Sequence, residues 1–294
     1  MTNALDLSPL EWGEALKAMG QPAFRAGQVF SWLHKGAKFS GMGNLPKALR
    51  EALAAEYDDA GVTIFERFPS RLDGTVKYLY RLADGNLIEG VRMRYHYGDT
   101  LCVSTQVGCR MGCKFCASTL AGKVRDLTPS EMLDQVLFTQ LDSGREISNI
   151  VLMGIGEPMD NRKNVLRFLE LINHPDGMNI GARHISLSTS GLADKIRALA
   201  KENLQITLSI SLHAATDEKR GALMPVNQKW PLDTLLSAAR DYFAATGRRI
   251  SMEYTLIPGK NDAPEDARAL AALLRRDFSM KTRPDLFFAG QLTG

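Results

Sequence analysis

No run of apolar residues in this 294-residue chain approaches the roughly 18 that a membrane-spanning helix needs. The opening Met1-Thr2-Asn3-Ala4-Leu5-Asp6 lacks the basic-then-apolar pattern of a secretory leader. No membrane association is expected, and the cytoplasm is the expected location. Cysteine is scarce as well: four residues in a chain of this length argue against a disulfide framework and for metal binding or catalysis. An excess of one charge is also missing. Thirty-six Lys and Arg against 33 Asp and Glu leave a formal charge of +3, which neither requires nor excludes a nucleic-acid partner. With 45% hydrophobic and 23% charged residues, collagenous and disordered classes are excluded, and no internal repeat or low-complexity tract is visible.

What the chain does contain divides near residue 90. Residues 1–90 read as a small helical and β-ribbon module. Ser8-Pro9-Leu10-Glu11 is a capped helix start. Phe24, Val29, Trp32 and Leu33 form one helical stripe, and Leu45, Leu49, Leu53 and Tyr57 another. Extended segments follow from 62 to 93, turning at Asp73-Gly74 and Asp84-Gly85. Residues 91–276 alternate strand and helix. Strands are expected at 101–107, 149–153, 184–188, 205–212 and 249–257. A capping box at Thr128-Pro129-Ser130-Glu131 opens a helix with Met132, Leu133, Val136, Leu137 and Leu141 on one face. Further helices are expected at 164–173, 193–202, 232–246 and 264–276. Repeated βα units make a parallel sheet, so the fold class is α/β. Residues 277–294 form an atypical tail.

In parallel α/β sheets, ligands sit at the carboxyl ends of strands, and the unusual segments of this chain fall there. Cys109-Arg110-Met111-Gly112-Cys113-Lys114-Phe115-Cys116 follows the first expected strand, and Gly154-Ile155-Gly156-Glu157-Pro158 follows the second. Ser188-Thr189-Ser190-Gly191 and Ser211-Leu212-His213 close the third and fourth. Three thiols at a three-then-two spacing suit a four-iron cluster with one iron left open, since a closed zinc site wants four protein ligands. Buried apolar cysteines, or a zinc site completed by Cys102 or a distant His, remain as alternatives on spacing alone. A Gly-rich turn and a histidine near a strand end are weak signals taken singly. Basic residues Arg25, Lys35, Lys38, Lys47 and Arg50 are candidates for a phosphate-facing patch.

The Cys-x3-Cys-x2-aromatic-Cys loop resembles the signature of radical S-adenosylmethionine enzymes. Together with Leu101-Cys102-Val103-Ser104-Thr105-Gln106-Val107-Gly108, Ser209-Ile210-Ser211-Leu212-His213-Ala214 and Met224-Pro225-Val226-Asn227, it is similar to the RlmN/Cfr family of RNA adenosine methyltransferases. Phe24-Arg25-Ala26-Gly27-Gln28-Val29 and Trp32 look like that family's RNA-contacting appendage, and the resemblance runs from about residue 7 to about residue 276. It implies a partial (β/α) barrel of the radical S-adenosylmethionine type. Cys109, Cys113 and Cys116 would then hold a [4Fe–4S] cluster, and Gly156, Glu157, Ser188, Ser211, Leu212 and His213 would contact S-adenosylmethionine. Glu89 would be the general base and Cys102 the cysteine that resolves a protein–RNA adduct. The implied reaction is methylation at C2 of adenosine in 23S ribosomal RNA, with transfer RNA left open as a second substrate. A reducing donor such as flavodoxin and a monomeric state complete the implied picture.

One part of the family pattern has no counterpart. The resemblance calls for a methyl-carrying cysteine near the C-terminus, in an Ala-Cys-Gly-Gln-Leu context, whereas Ala289-Gly290-Gln291-Leu292 lacks it and all four cysteines already have roles. A sixth strand bearing a cofactor-contacting Asn is likewise not found before it. A truncated product that cleaves S-adenosylmethionine without methylating RNA, or a non-catalytic RNA-binding remnant, is the alternative expectation. An unpaired edge on the fifth barrel strand would follow.

Overall fold

A computed structural model describes residues 1–277 and 286–289. The chain forms two compact units, one of residues 1–107, 126–155 and 161–181, the other of residues 108–125, 156–160 and 182–294. The atypical tail lies mostly outside the described residues.

The first unit begins with helices α1 (Pro9–Ala18), α2 (Arg25–Leu33) and α3 (Lys47–Glu56). The expected cap of α1 forms: Glu11 N donates to Ser8 Oγ at 3.3 Å, and the Glu11 carboxylate accepts from Ser8 N at 2.7 Å. Val29, Leu33, Leu49 and Leu53 are buried as the helical stripes require. Phe24 is not. It precedes α2 and is 65% exposed, and the core position goes to Phe30, one turn into the helix.

Strands β1 (Thr63–Pro69), β2 (Val76–Arg81), β3 (Leu87–Tyr95) and β4 (Gly98–Cys102) then run as an antiparallel meander. Gly85 takes φ +85° in the β2–β3 turn, where Asp84-Gly85 was expected to reverse the chain. The helix α4 (Pro129–Ser143) starts with the Thr128–Glu131 capping box and stops at Gly144, φ +62°. Met132, Leu133, Val136 and Leu137 are buried, but Leu141 is 55% exposed because the stripe drifts off the core at the last turn. Strand β5 (Ile147–Leu152) pairs parallel with β4, and α5 (Arg162–Ile172) follows. The sheet order within this unit is β5-β4-β3-β2-β1.

The strand expected at 101–107 is interrupted. It ends at Cys102, and a separate short strand covers Gln106–Gly108. In between, Val103 N and Thr105 N keep backbone partners in Val151 O and Ile155 O, but Ser104 N is taken by the Gln135 side chain at 2.9 Å and Ser104 Oγ donates to Glu89 O at 2.6 Å, so side-chain bonds break the ladder at this one residue.

The second unit is a parallel βα array: β6 (Ile185–Thr189), α6 (Ala193–Ala200), β7 (Thr207–Ser211), α7 (Asp217–Leu223), α8 (Leu232–Thr246), β8 (Ile250–Thr255) and α9 (Pro264–Asp277). The seven-residue α7 was not anticipated; Thr216 caps it through Lys219 N. Strands β6, β7 and β8 pair in sequence order, and β9 (Leu286–Ala289) pairs parallel with β8. The edge of β8 is therefore covered, contrary to the expectation that it stands unpaired. One face of β6–β8 is apolar and buried, with Leu187, Leu208, Ile210 and Met252. The other carries Ser188, Ser209, Ser211, Ser251 and Glu253. A parallel strand normally buries apolar residues on both faces, so a hydroxyl-lined face marks where polar ligand groups can be met.

Candidate functional site

The cysteine loop is anchored at Gly108 and Gly112. Gly108 takes φ +71°, and a Cβ there would lie 1.9 Å from the Gly122 carbonyl oxygen, so no other residue fits. Gly112 takes φ +73°. Lys114 N donates to Leu223 O at 2.9 Å, and Thr119 Oγ1 donates to Cys116 O at 2.9 Å. Arg110 and Lys123 both pair with Asp160, tying the loop to the segment that follows Glu157.

No disulfide joins the four cysteines. Cys109 is buried and Cys113 half-buried. Burial, reinforced by Glu157 and Cys116, pushes the Cys109 thiol up to about 11; burial, reinforced by Cys116 and Cys109, pushes Cys113 up to about 12. Among the described residues, no three His, Cys, Asp or Glu side chains are already drawn together as a ligand set. The three thiols on one glycine-hinged loop, together with the buried and unpartnered Ser190 hydroxyl, fit a bound thiolate-held cluster with a polar ligand beside it.

Of the other expected residues of this unit, His213 meets the loop at Phe115, and Glu157 is near enough to act on Cys109. Gly156 takes φ +113°. Glu157 is 3% exposed; its Oε1 accepts from Met159 N at 3.1 Å and its Oε2 from Ser190 N at 2.7 Å, while burial raises its pKa. Ser188 Oγ donates to Glu253 Oε2 at 3.4 Å. Leu212 is fully buried, and Leu212 N and His213 N both donate to Glu253 O. His213 holds φ +55°, unusual for a non-glycine residue. Thr255 N donates to its Nδ1 at 3.0 Å, which leaves the ring proton on Nε2, and the ring stands edge-on to Phe115 at 5.0 Å. Burial lowers its pKa to about 4, so the ring is neutral.

Sequence reasoning missed the group that holds these strand ends together. Arg220, on α7, has no exposed surface and donates to Leu212 O at 3.1 Å, Ser190 O at 2.6 Å, Ser211 O at 3.1 Å and Asn227 Oδ1 at 2.9 Å. Burial lowers its pKa to about 10 without discharging it at neutral pH. Asn261 acts similarly, donating to His213 O at 2.6 Å. Glu253, whose pKa burial raises, was missed too. Only the Met224-Pro225-Val226-Asn227 string hinted at this network, through Asn227.

Glu89 and Cys102 belong to the first unit. Register pairs Val91 with Cys102 and Leu79 with Glu89, so both lie on one face of the meander, and Lys77 Nζ meets Glu89 Oε1 at 2.6 Å. Gly154, two residues before Gly156 in the glycine-rich run, has a packing role: a Cβ there would lie 2.7 Å from Ser104 N.

Two family models match the chain: the radical SAM superfamily over residues 103–271, and the ribosomal RNA large subunit methyltransferase N-terminal domain over residues 2–57. A probable dual-specificity RNA methyltransferase RlmN of Lachnoclostridium phytofermentans is 49% identical over 94% of this chain and 79% of its own length. One of the same description from Clostridium perfringens is 51% identical over 94% and 80%. A radical SAM methyltransferase from Sphaerobacter thermophilus superposes with a TM-score of 0.89 at 42% identity, covering 94% of this chain and 82% of that one.

Proposed function

Since this chain belongs to the RlmN family of the radical SAM superfamily, we propose that it methylates C2 of adenosine in 23S ribosomal RNA, with transfer RNA as a second substrate. Membership makes it a radical S-adenosylmethionine RNA methyltransferase. The observation that carries the residue-level reading is the gathering of the three-cysteine loop, Glu157, Ser188 and the Ser211-Leu212-His213 turn within one unit.

Cys109, Cys113 and Cys116 would hold the [4Fe–4S] cluster. When bound, the cluster and S-adenosylmethionine supply a reducing electron, a hydrogen-abstracting radical and a methyl group. Gly156 would let backbone approach the cofactor, and the buried Glu157 carboxylate, positioned by the N–H groups of Met159 and Ser190, would supply the negative charge that an ammonium needs. Ser188 and Ser211 offer hydroxyls, Leu212 shapes the apolar wall, and the neutral His213 donates from Nε2. Glu89 takes the proton released from the adenine carbon, and Lys77 Nζ, 2.6 Å from its Oε1, fixes where the carboxylate stands. Cys102 serves release of the product. Residues 1–90 serve as the RNA-contacting module, residues 91–276 as the catalytic domain. The protein works in the cytoplasm as a monomer with a flavodoxin-like donor; among the described residues no helix is long and apolar enough to cross a membrane.

A second reading is favoured by the cysteine inventory. All four cysteines fall between 102 and 116 and already carry roles in the reading above, which leaves none of these four as a methyl carrier. The chain would then cleave S-adenosylmethionine without methylating RNA. Digesting treated ribosomal RNA to nucleosides tests the main proposal. Methyl at adenosine C2, lost in Glu89→Gln while iron content is retained, is the expected result; methyl at another atom contradicts it.

A further inference from the structure

The face of the first unit's sheet that carries Glu89 and Cys102 does not stop at them. Side chains alternate along a strand, and directly opposed residues share a face. On β3, Glu89, Val91 and Met93 share a side; on β4, Cys102 faces Val91. On β2, Lys77, Leu79 and Arg81 continue the same side, since Leu79 opposes Glu89 and Lys77 opposes Val91. On β1, Phe68 opposes Lys77, and the irregularity between Ile64 and Glu66 brings Phe65 beneath Arg81. The opposite side, with Tyr78, Tyr80 and Ile88, is the buried one.

At its outer end this face carries two cation–aromatic pairs. The Arg81 guanidinium lies 4.1 Å from the Phe65 ring centroid, and Lys77 Nζ lies 5.8 Å from that of Phe68. Phe65 is 48% exposed and Phe68 45%, so each stays partly open to solvent beside its cation. Arg81 meets no carboxylate among the described residues, so its five N–H donors are open to a phosphate.

We propose that Phe65, Phe68, Lys77 and Arg81 form a stacking track for the single-stranded nucleotides that flank the target adenosine. This rests on the RNA-methylating reading above and names the surface that holds the substrate on either side of the modified base. Unpaired bases lie flat on exposed rings irrespective of sequence, while an arginine stacked on one ring reaches the backbone. A protein partner would want a broad apolar patch. Here the rings flank Glu66, and Lys77 is paired with Glu89, so the cation left for a phosphate is Arg81, stacked on Phe65; a guanidinium on an exposed ring favours a ligand that joins flat apolar faces to an anionic backbone.

Fluorescence anisotropy of the full chain with a labelled, adenosine-containing ribosomal RNA stem-loop tests this. Phe65→Leu/Phe68→Leu keeps apolar volume but removes the π faces. It should weaken binding by about tenfold with an unchanged thermal melting curve. Arg81→Gln should weaken binding and reduce the slope of log affinity against log salt by about one. Unchanged affinity in the double variant, with wild type binding tightly and forming 2-methyladenosine, overturns the track and leaves the catalytic reading standing. A wild type that binds no RNA overturns both. A wild-type dimer in sedimentation that the double variant converts to monomer overturns the track in favour of self-association.

Discussion

Arg220 shows how much one side chain can carry without announcing itself. Its four hydrogen bonds reach carbonyls 8, 9 and 30 residues away in sequence, and Asn227. Nothing in the local pattern of Asp217-Glu218-Lys219-Arg220 marks it off from a solvated helix, because its partners are set by strand packing rather than by period. Arg220→Met leaves those acceptors buried and unmet. It should cost about 3 kcal/mol in urea unfolding, and it should loosen the Ser190 and Ser211–Leu212 backbone enough to weaken S-adenosylmethionine binding by equilibrium dialysis. Gly108 is the opposite case, a residue whose necessity can be read once the Cys-x3-Cys-x2-Cys spacing draws attention to the turn before it. Gly108→Ala puts a methyl into the Gly122 carbonyl, and anaerobic reconstitution should then yield markedly less iron per chain than wild type. Wild-type iron in that variant would show that the loop accepts a different path. The cysteines, Glu157, Ser188 and His213 stand out by spacing and resemblance, and the structure places them in one unit. Glu253 and Asn261 were not, since a lone carboxylate and a lone amide acquire meaning only from what they face.

At the scale of elements, capping signals read best. Both capping boxes form, and Thr128→Ala should destabilise the first unit by about 1 kcal/mol, measured by denaturant titration. Boundaries read less well where side chains replace a ladder, as at Ser104, and the short α7 was invisible to a periodicity that needs several turns. Helix α4 also hides a titratable group. Asp134 is 2% exposed, its Oδ2 accepts from Val62 N at 3.1 Å, its Oδ1 meets no partner, and burial raises its pKa to about 7. Between the ordinary value of 3.8 and about 7 the folded state binds more protons than the unfolded one, so stability falls as pH rises through that window. Asp134→Asn should flatten this part of the profile and be relatively more stable above it. A thermal-melting series from pH 4 to 8 checks this, and an unchanged profile would show that the carboxyl is ionised throughout.

For the whole molecule, the α/β class and its βα array were legible because a strand, its Gly- or Ser-rich end and the next amphipathic helix recur in order along the chain. Membership of the RlmN family then explains why the unusual segments sit at strand ends. It does not explain the cysteine inventory, which stays at four, so chemistry and methyl transfer can be separated in one assay. The most direct test is anaerobic loading with iron and sulfide, then reductant, S-adenosylmethionine and a ribosomal RNA fragment, with mass spectrometry for 5′-deoxyadenosine and 2-methyladenosine. The account predicts both products, and neither from a Cys113→Ala variant. 5′-Deoxyadenosine alone would support the second reading, and neither product from cluster-loaded wild type would contradict the assignment of Cys109, Cys113 and Cys116 to a radical site.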